Sequence, residues 1–506
     1  MSFDVSTDHP LDLLIVGAGL SGIDLVHHVN RAFPDWEWRI VDSNSDVGGT
    51  WVTFTYPGIR SDSDMATFSL PFERWPHKGS LGSGGNIQKY VAEVAEDEGV
   101  FERLSLSTWV RSARFHSDRG LWQVTMLTRG DGKPLSEGHV DAGDDPEITE
   151  HVVWTKRLHF ASGYYKHHKG FTASIPGLDN FAGEVIHPQH WPENLHGDGV
   201  QGKRFVIIGS GATAITLLPA LHEMGADVTM LQRTPTYVAP LLNRDNFSAL
   251  THAVLPPAQA RSAARAMHIT RDMAQYRMCQ LVPPLAKLYF WGLQRYYIPA
   301  STIKEHFNPP YGPWDQRVCK SPDGDFFTAM NGGAKVVTGK IDSVKEEGIA
   351  LIDGRFIPAD VIITATGLDI QVFGGAEIFV DDDLVDPADA VAYRGMMFDG
   401  VPNLSITVGY LNQSWTLRAD LVSRYMVRLW KEMEKYSYSQ YEPRFPTDLK
   451  ADKPLLDMES GYLVRARDRL PVQADRDPWV FKQDYIYEYR LWGNPHSDIR
   501  KDMIFT

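Results

Sequence analysis

Three glycines near the amino terminus have the spacing of a turn that binds phosphate. Gly17, Gly19 and Gly22 follow the apolar run LDLLIV, and a second apolar run, WEWRIV, ends just before Asp42. In a dinucleotide-binding unit the first glycine permits a tight turn, the second lets the backbone approach a pyrophosphate, and the third lets helix and strand pack closely. The acid after the second strand accepts hydrogen bonds from ribose hydroxyls. A glycine turn without function is the alternative, but the complete unit predicts a dinucleotide site.

Paired glycines a few residues later indicate which dinucleotide this first site binds. Gly48 and Gly49 come soon after the acid and are followed by Thr50 and Trp51. Glycine lets a backbone approach a ligand closely, and an FAD site uses such a pair near its diphosphate and flavin. We therefore predict that the first site binds FAD.

A second glycine turn, later in the chain, has a different residue where the acid would be. The apolar run RFVII leads into Gly209, Gly211 and Thr213, and the next apolar run, DVTMLQ, is followed by Arg233. An acid there would repel the 2'-phosphate of NADPH, whereas an arginine can hold that phosphate with two parallel hydrogen bonds. We therefore predict an NADPH site, with a solvated surface arginine as the alternative reading of Arg233.

Positioning these groups requires two strand–turn–helix–strand units, one for each glycine turn. The predicted fold class is therefore α/β, with two Rossmann-like dinucleotide-binding domains, one for FAD and one for NADPH. Between the units, residues 105–150 alternate apolar and polar residues around turns, as an antiparallel excursion does. Apolar runs at 361–365 and 404–408 come after the second unit, which suggests that the chain returns there to complete the first domain.

The predicted domains are three segments of the chain. Residues 1–163 form the first part of the FAD domain, and 164–340 form the NADPH domain. Within the latter, about 245–305 is rich in Ala, Leu, Met and Gln and is punctuated by prolines, which predicts a helical insert. Residues 341–506 complete the FAD domain and end in a tail, beyond about 438, whose place the sequence does not predict.

Composition excludes several other classes of protein. The net charge of -14 argues against a nucleic-acid partner, which needs a basic face. Cys279 and Cys319 form neither a C-x-x-C pair nor metal-ligand spacing with histidines, so we predict no metal. The chain contains no apolar run near the roughly 20 residues that span a bilayer, and its first residues are acidic where a signal peptide is basic. We expect a cytoplasmic enzyme, and the sequence does not predict its oligomeric state.

The most specific motif lies just before the second glycine turn. Phe181, Gly183, His187, Trp191 and Pro192 match the fingerprint F-x-G-x-x-x-H-x-x-x-W-P at every specified position. The chain thereby resembles the type I Baeyer-Villiger monooxygenases, whereas related flavin-containing amine oxygenases usually lack the Trp-Pro ending. Further similar stretches, which resemble the subgroup of the ethionamide-activating monooxygenase, are YPGIRSDSDMATFSLPF, ASGYY, QRTPTYV, PPYGPWDQRVC, ATGLD and GYLNQSWTLRADL.

This resemblance implies roles for particular residues. Arg317 would lie beside the flavin and stabilise a C4a-peroxyflavin formed from dioxygen, and then the adduct with a ketone that becomes an ester or lactone. Asp62 would orient that arginine and contact the cofactor, with Asp64 as a close competitor, and Gln413 would bind the cofactor. His187 and Trp191 would hold the domain linker rather than transfer protons. An ordinary ion pair is the alternative for Arg317, and a turn-capping carboxylate is the alternative for Asp62.

The segments A-S-G at 161–163 and A-T-G at 365–367 resemble the family's linkers between the two domains, which implies an NADPH domain inserted in the FAD domain. Tyr56, Pro57 and Trp314, together with Tyr289, Phe290 and Trp291, could line an apolar pocket, although aromatic residues are more often core. The substrate is thus expected to be a small molecule whose identity the sequence does not give.

Other activities remain open at this stage. The same flavin chemistry would give N- or S-oxygenation of amines, heteroaromatics or thioethers. A flavin disulfide reductase needs two neighbouring cysteines, which Cys279 and Cys319 do not provide. A protein that keeps the fold without catalysis is the remaining alternative.

Overall fold

The computed structural model describes residues 7–140, 145–458 and 460–506. Its first parallel sheet contains the first apolar run, and all four residues of Leu13–Val16 are buried. A strand covered by helices on both faces has no polar face, which explains the continuous apolar run. In spatial order the strands of this sheet are Leu404–Ile406, Leu158–Phe160, Leu13–Val16, Trp38–Val41 and Leu104–Ser105.

The second parallel sheet is built around Arg204–Ile208, which pairs with Asp227–Gln232 on one side and Val361–Thr364 on the other. The expectation that the run at 361–365 completes the first domain is therefore wrong, and the predicted boundary at 340 falls before the last strand of this sheet. An apolar run has the same pattern in either doubly covered sheet, so the pattern cannot choose between them. In spatial order the strands are Lys335–Thr338, Asp227–Gln232, Arg204–Ile208, Val361–Thr364 and Glu184–Ile186.

The remaining strands form mainly antiparallel sheets. The predicted excursion is the centre of one of them, whose strands in spatial order are Asp383–Leu384, Glu377–Val380, Thr108–His116, Leu121–Arg129 and Ile148–Thr155. Another sheet contains Ile341–Lys345, Gly348–Leu351 and Phe356–Pro358. Paired strands are Val238–Leu241 with Cys319–Pro322, Ala392–Tyr393 with Met397–Phe398, Tyr441–Pro443 with Met503–Phe505, and Lys453–Pro454 with Val472–Gln473.

Helices follow both glycine turns and fill the predicted insert. The α-helices are Leu20–Ala32, Thr50–Thr53, Met65–Phe68, Gly84–Asp97, Glu137–Val140, Ala212–Glu223, Asn246–Val254, Pro257–Leu281, Pro283–Arg295, Ala300–His306, Asp325–Asn331, Trp415–Tyr436, Gly461–Ala466 and Tyr485–Glu488. Short 3-10 turns are Val100–Arg103, Leu178–Asn180, Pro188–His190, Glu193–Leu195, Gly197–Gly199, Phe373–Gly375 and Arg467–Arg469, and Tyr489–Gly493 is a π turn. Prolines begin the two longest insert helices, where their missing N–H removes no hydrogen bond of the helix.

The tail that the sequence could not place packs onto the first domain. Trp479 and Trp492 are buried in the same core as the helices Leu20–Ala32 and Trp415–Tyr436. Glu488 forms a fully buried ion pair with Arg418, 3.0 Å from carboxylate oxygen to Nε. Within the described ranges, no helix is both long and apolar enough to cross a membrane.

Candidate active site

A cavity of about 320 Å³ lies between the two glycine turns. Its wall contains these sequence-predicted residues: Gly17, Gly19, Asp42, Gly49, Thr50, Trp51, Asp62, Thr213, Arg317 and Gln413. Gly22, Gly209, Gly211, Arg233 and the five fingerprint residues lie outside this wall. The structure thus brings together most of the predicted FAD residues with the predicted arginine and aspartate.

The first and third glycines of the first turn have no room for side chains. Gly17 has a φ of +112°, and a Cβ there would lie 2.5 Å from the carbonyl oxygen of Ala161. A Cβ on Gly22 would lie 2.0 Å from the carbonyl oxygen of Gly17. Asp42 is held beside the turn, since its carboxylate accepts hydrogen bonds from the backbone N–H of Ala18 at 2.6 Å and of Asn44 at 2.8 Å. The turn therefore forms a cradle of backbone groups next to a fixed carboxylate.

The second glycine turn repeats this arrangement but is open to solvent. Gly209 has a φ of +137°, and a Cβ there would lie 2.2 Å from the carbonyl oxygen of Ala365. A Cβ on Gly211 would meet nothing within 4 Å. The Arg233 side chain is exposed and forms no hydrogen bond or ion pair with any residue that the structure describes. Its guanidinium is therefore free to bind a phosphate.

Arg317 and Asp62 form a bidentate ion pair at the cavity wall. The Arg317 Nε lies 2.8 Å from one carboxylate oxygen of Asp62, and a terminal guanidinium nitrogen lies 2.9 Å from the other. Both side chains remain partly open to the cavity, with 32% and 27% exposed. Burial lowers the pKa of Arg317, but Asp62 and the phenol oxygens of Tyr462, Tyr164 and Tyr165 raise it further, to well above its ordinary value. The site therefore holds a permanent positive charge of fixed orientation.

Asp64, the competitor for Asp62, is used elsewhere. It caps the helix Met65–Phe68 by accepting a hydrogen bond from the Ala66 N–H at 2.8 Å. Its other carboxylate oxygen lies 3.1 Å from Nδ1 of His268 and 3.5 Å from Arg271. Of these two acids, Asp62 therefore pairs with Arg317, whereas Asp64 contacts His268 and Arg271 of the insert.

Several aromatic residues of the cavity were not predicted as site residues. The Tyr164 and Tyr165 hydroxyls lie 3.1 Å apart, and the Tyr164 ring stacks on Trp415 with centroids 5.2 Å apart. Trp109, from the antiparallel excursion, also lines the cavity. Tyr56, which the sequence suggests as a pocket residue, lines it as well. Their position is the one sequence feature that could have indicated the two tyrosines as site residues. Both directly follow the A-S-G segment, whose Ala161 carbonyl lies against Gly17.

The fingerprint residues do not line the cavity. One of them, His187, binds the A-T-G linker at 365–367 instead. The Gln189 N–H donates to Nδ1 of His187 at 3.2 Å, so Nε2 carries the proton and donates to the Gly367 carbonyl, also at 3.2 Å. Burial lowers the pKa of His187, which keeps the ring neutral. Trp191 is buried and donates to the Leu195 carbonyl, and a Cβ on Gly183 would lie 2.3 Å from the Asp360 carbonyl oxygen. Phe181 is also buried, and Pro192 caps the turn Glu193–Leu195.

The polar groups of the cavity fit a dinucleotide. The side-chain oxygen of Gln413 is buried in the wall and accepts no hydrogen bond from the described residues, so it can accept one from a bound group. The glycine cradle and Asp42 supply the backbone and carboxylate contacts that a dinucleotide needs. Burial raises the pKa of Cys319 in the wall to about 12 and that of Cys279 to about 11, so both thiols stay protonated at neutral pH. The cavity thus suits FAD and lacks the thiolate of a disulfide reductase.

Comparisons with known proteins agree with this geometry. The chain matches no protein-family model. It is 39% identical over 488 residues to the FAD-containing monooxygenase EthA of Mycobacterium tuberculosis, covering 96% of this chain and 95% of the relative. It is 36% identical over 491 residues to the probable FAD-binding monooxygenase AlmA of Acinetobacter baylyi, with coverage of 96% and 95%. The putative FAD-containing monooxygenase MymA of M. tuberculosis is 37% identical over 487 residues, with coverage of 95% and 94%.

Solved structures support the fold. An open crystal structure of cyclohexanone monooxygenase matches with a TM-score of 0.67 at 21% identity, covering 86% of this chain and 90% of that chain. An oxidized steroid monooxygenase bound to NADP matches with a TM-score of 0.68 at 20% identity, covering 86% and 88%. The predicted fold class and the predicted family resemblance are thus confirmed. The chain belongs to the family of FAD-containing monooxygenases that includes EthA, and it has the fold of the Baeyer-Villiger monooxygenases.

Proposed function

We propose that this protein uses NADPH, FAD and dioxygen to insert one oxygen atom next to the carbonyl carbon of a ketone, which yields an ester or a lactone. The observation that carries the proposal is the bidentate pair of Arg317 and Asp62 in the wall of a cavity between two dinucleotide turns. When bound, FAD supplies the redox chemistry, since it accepts hydride from NADPH and passes the electrons to dioxygen.

The binding roles follow from the two turns. Gly17, Gly19 and Gly49 would hold the FAD diphosphate against the backbone, and Asp42 would contact its ribose. The open turn at Gly211 and Thr213 would take the NADPH pyrophosphate. Arg233, exposed and unpaired among the described residues, would take the 2'-phosphate. Cofactor and substrate would then meet in the cavity that Arg317 faces.

Arg317 would stabilise negative charge where the reaction creates it. Attack on a ketone leaves negative charge on the carbonyl oxygen, and a fixed guanidinium in a partly closed cavity stabilises that charge better than water does. Asp62 acts as a positioning residue, because its two contacts fix the plane of the guanidinium. The ion pair therefore provides a positive charge and also fixes the direction in which the guanidinium points.

The neighbouring titratable groups favour ketone over heteroatom oxidation. Burial raises the pKa of Tyr164 and of Tyr165, so their hydroxyls release protons reluctantly at neutral pH. Burial also lowers the pKa of His167 in the cavity wall, so its ring is neutral and lacks the acidic proton of an imidazolium. A reacting oxygen that stays anionic is a nucleophile, which suits a carbonyl carbon. A protonated one would be electrophilic and would suit an amine or a thioether.

Product identification tests the proposal. The purified yellow protein would be incubated with NADPH, air and a panel of linear ketones, cyclic ketones, a tertiary amine and a thioether. We expect esters or lactones identified by mass and retention time. N-oxides or sulfoxides alone would replace ketone oxidation by heteroatom oxidation as the activity.

A further inference from the structure

One helix of the insert is apolar on two opposite sides. The helix Pro283–Arg295 buries Ala286 and Phe290 in a cluster with Tyr237 and Val318. Its opposite side, with the residues that flank its ends, presents large apolar side chains to solvent. Their exposed fractions are 78% for Leu281, 52% for Leu285, 61% for Leu288, 41% for Tyr289, 44% for Trp291 and 85% for Tyr296. We name these six residues the insert face.

The spacing of the insert face shows that it is a single surface. Leu288 and Tyr289 lie three and four residues after Leu285, which places these three on one side of the helix, and Tyr296 follows Tyr289 after seven residues. Leu281 ends the preceding helix, four residues before Leu285. Trp291 lies beside Leu288 on the same helix. Exposed single apolar residues are ordinary, but a continuous apolar patch of this kind marks a surface that binds a partner.

The charge around the insert face indicates the partner. Residues 273–304 contain no Asp or Glu, although the chain has 64 of them in 506 residues. The same stretch contains Lys287, Arg295 and Lys304, together with Arg277, which pairs with Asp484 at 3.1 Å, so it is basic within a chain of net charge -14. The Arg295 guanidinium lies over the Trp291 ring, 5.9 Å from its centroid. Aromatic and aliphatic side chains flanked by Lys and Arg suit the interface of an anionic bilayer.

The length of the helix and the symmetry that a dimer would have both favour a bilayer, rather than a second copy of the chain, as the partner of the insert face. A helix of 13 residues is about 20 Å long, too short to cross a hydrocarbon core of about 30 Å, so it would lie in the plane of the interface. In a two-fold dimer the same patch meets itself, which would bring the basic residues of one copy near those of the other. Anionic lipid headgroups would neutralise them instead.

We propose that the insert face docks this protein on the surface of an anionic lipid bilayer. Leu285, Leu288 and Trp291 enter the boundary between headgroups and acyl chains, while Lys287 and Arg295 contact lipid phosphates. The opposite side of the same helix packs on Val318, next to Arg317 in the chain. Docking therefore brings the cavity wall close to the membrane surface, where apolar molecules concentrate. This proposal goes beyond the reaction and does not depend on it.

Vesicle co-sedimentation of the FAD-loaded protein tests the docking. The wild type would be mixed with vesicles of phosphatidylcholine alone and with vesicles that also contain phosphatidylglycerol. We expect binding to the anionic vesicles that weakens with added salt. The double variant Leu285→Glu with Leu288→Glu should bind roughly tenfold less, because two apolar contacts are lost and two negative charges are added.

The control is the double variant Ile352→Glu with Leu384→Glu. These residues are 66% and 58% exposed and undergo the same change of charge. Ile352 directly follows the strand Gly348–Leu351 and Leu384 lies in the strand Asp383–Leu384, both outside the insert. We expect this variant to bind as the wild type does. Three results would overturn the proposal: no binding by the wild type, equal loss in both double variants, or a wild-type dimer in light scattering that only the insert variant dissociates while vesicles have no effect.

Discussion

Arg317 and Asp62 show how far single residues could be assigned from sequence. Their types and their resemblance to a known pattern made them candidates, yet they are 255 positions apart, and only the fold shows that they form a bidentate pair. The choice between Asp62 and Asp64 could not be made from spacing, because both are acids in one turn. Geometry separates them, since Asp64 caps a helix and contacts His268.

Replacing Arg317 by alanine should separate the two halves of the reaction. The guanidinium acts on charge that develops after reduction, so Arg317→Ala should still bind FAD and be bleached by NADPH, while product formation falls by at least about a hundredfold. Stopped-flow absorbance of the flavin and product analysis measure the two steps. Asp62→Asn, which keeps the side-chain shape, is the matched variant and should lose less. An Arg317→Ala enzyme that NADPH no longer bleaches would show that the role is misassigned.

Replacing Arg233 by alanine should reveal its phosphate contact. A lost charge-assisted contact is worth roughly 1.5 to 3 kcal/mol, so the KM for NADPH should rise by roughly tenfold or more while the KM for NADH changes little. Steady-state oxidation of both nucleotides checks this. Equal effects on the two would remove Arg233 from the phosphate site.

At the scale of elements, both glycine turns are in close contact with a distant backbone carbonyl, which no local sequence pattern reveals. In each, the carbonyl of an alanine in an A-x-G segment approaches the first glycine so closely that a Cβ would clash, at Ala161 over Gly17 and at Ala365 over Gly209. The sequence predicted both turns and both segments separately. Their contact could not be predicted, because it depends on which strands become neighbours.

A pair of glycine variants should separate the fold from cofactor binding in the second turn. Gly209→Ala places a Cβ against the Ala365 carbonyl at a positive φ, so we expect a lower melting temperature. Gly211→Ala has open space around its Cβ and a φ of -77°, so it should fold normally and weaken only NADPH binding. Thermal melts and nucleotide titration distinguish these effects. Normal NADPH binding by Gly211→Ala would place the pyrophosphate elsewhere.

His268 connects the insert to the first domain through charge. Its Nδ1 lies 3.1 Å from Asp64 and its Nε2 lies 2.8 Å from Asp245, with Arg271 as the neighbouring cation. Burial lowers the pKa of His268, but the two carboxylates outweigh it and raise this pKa to about 9. The folded pKa exceeds the unfolded value of about 6.5, so the stabilisation is complete below that pH and is lost as the pH rises through 9.

His268→Gln should therefore destabilise the protein most at low pH. The shift corresponds to about 3 kcal/mol near pH 6, and the difference in melting temperature from wild type should shrink as the pH approaches 10. Thermal melts from pH 6 to about 10 measure this difference. A difference that does not change with pH would mean that the imidazole is not charged between the two carboxylates.

At the scale of the whole molecule, the sequence predicted two dinucleotide-binding units, but it did not predict to which sheet every strand belongs. The run at 361–365 joins the second sheet and the run at 404–408 contributes Leu404–Ile406 to the first. The tail gave no pattern because its strands and helices are only two to six residues long. They are held by packing, such as that of Trp479 and Trp492 in the core, and by the buried ion pair of Glu488 with Arg418. Such contacts depend on long-range packing, which periodicity does not encode.

The most direct test of the account uses isotopically labelled dioxygen. The enzyme would be given NADPH, labelled dioxygen in unlabelled water, and a ketone that it converts, and the product would be examined by mass spectrometry. The account predicts an ester or lactone with one labelled oxygen atom, and one NADPH consumed for each product molecule. A product without label, or NADPH oxidation that gives only hydrogen peroxide across the whole substrate panel, would contradict the assignment of ketone oxygenation to this site.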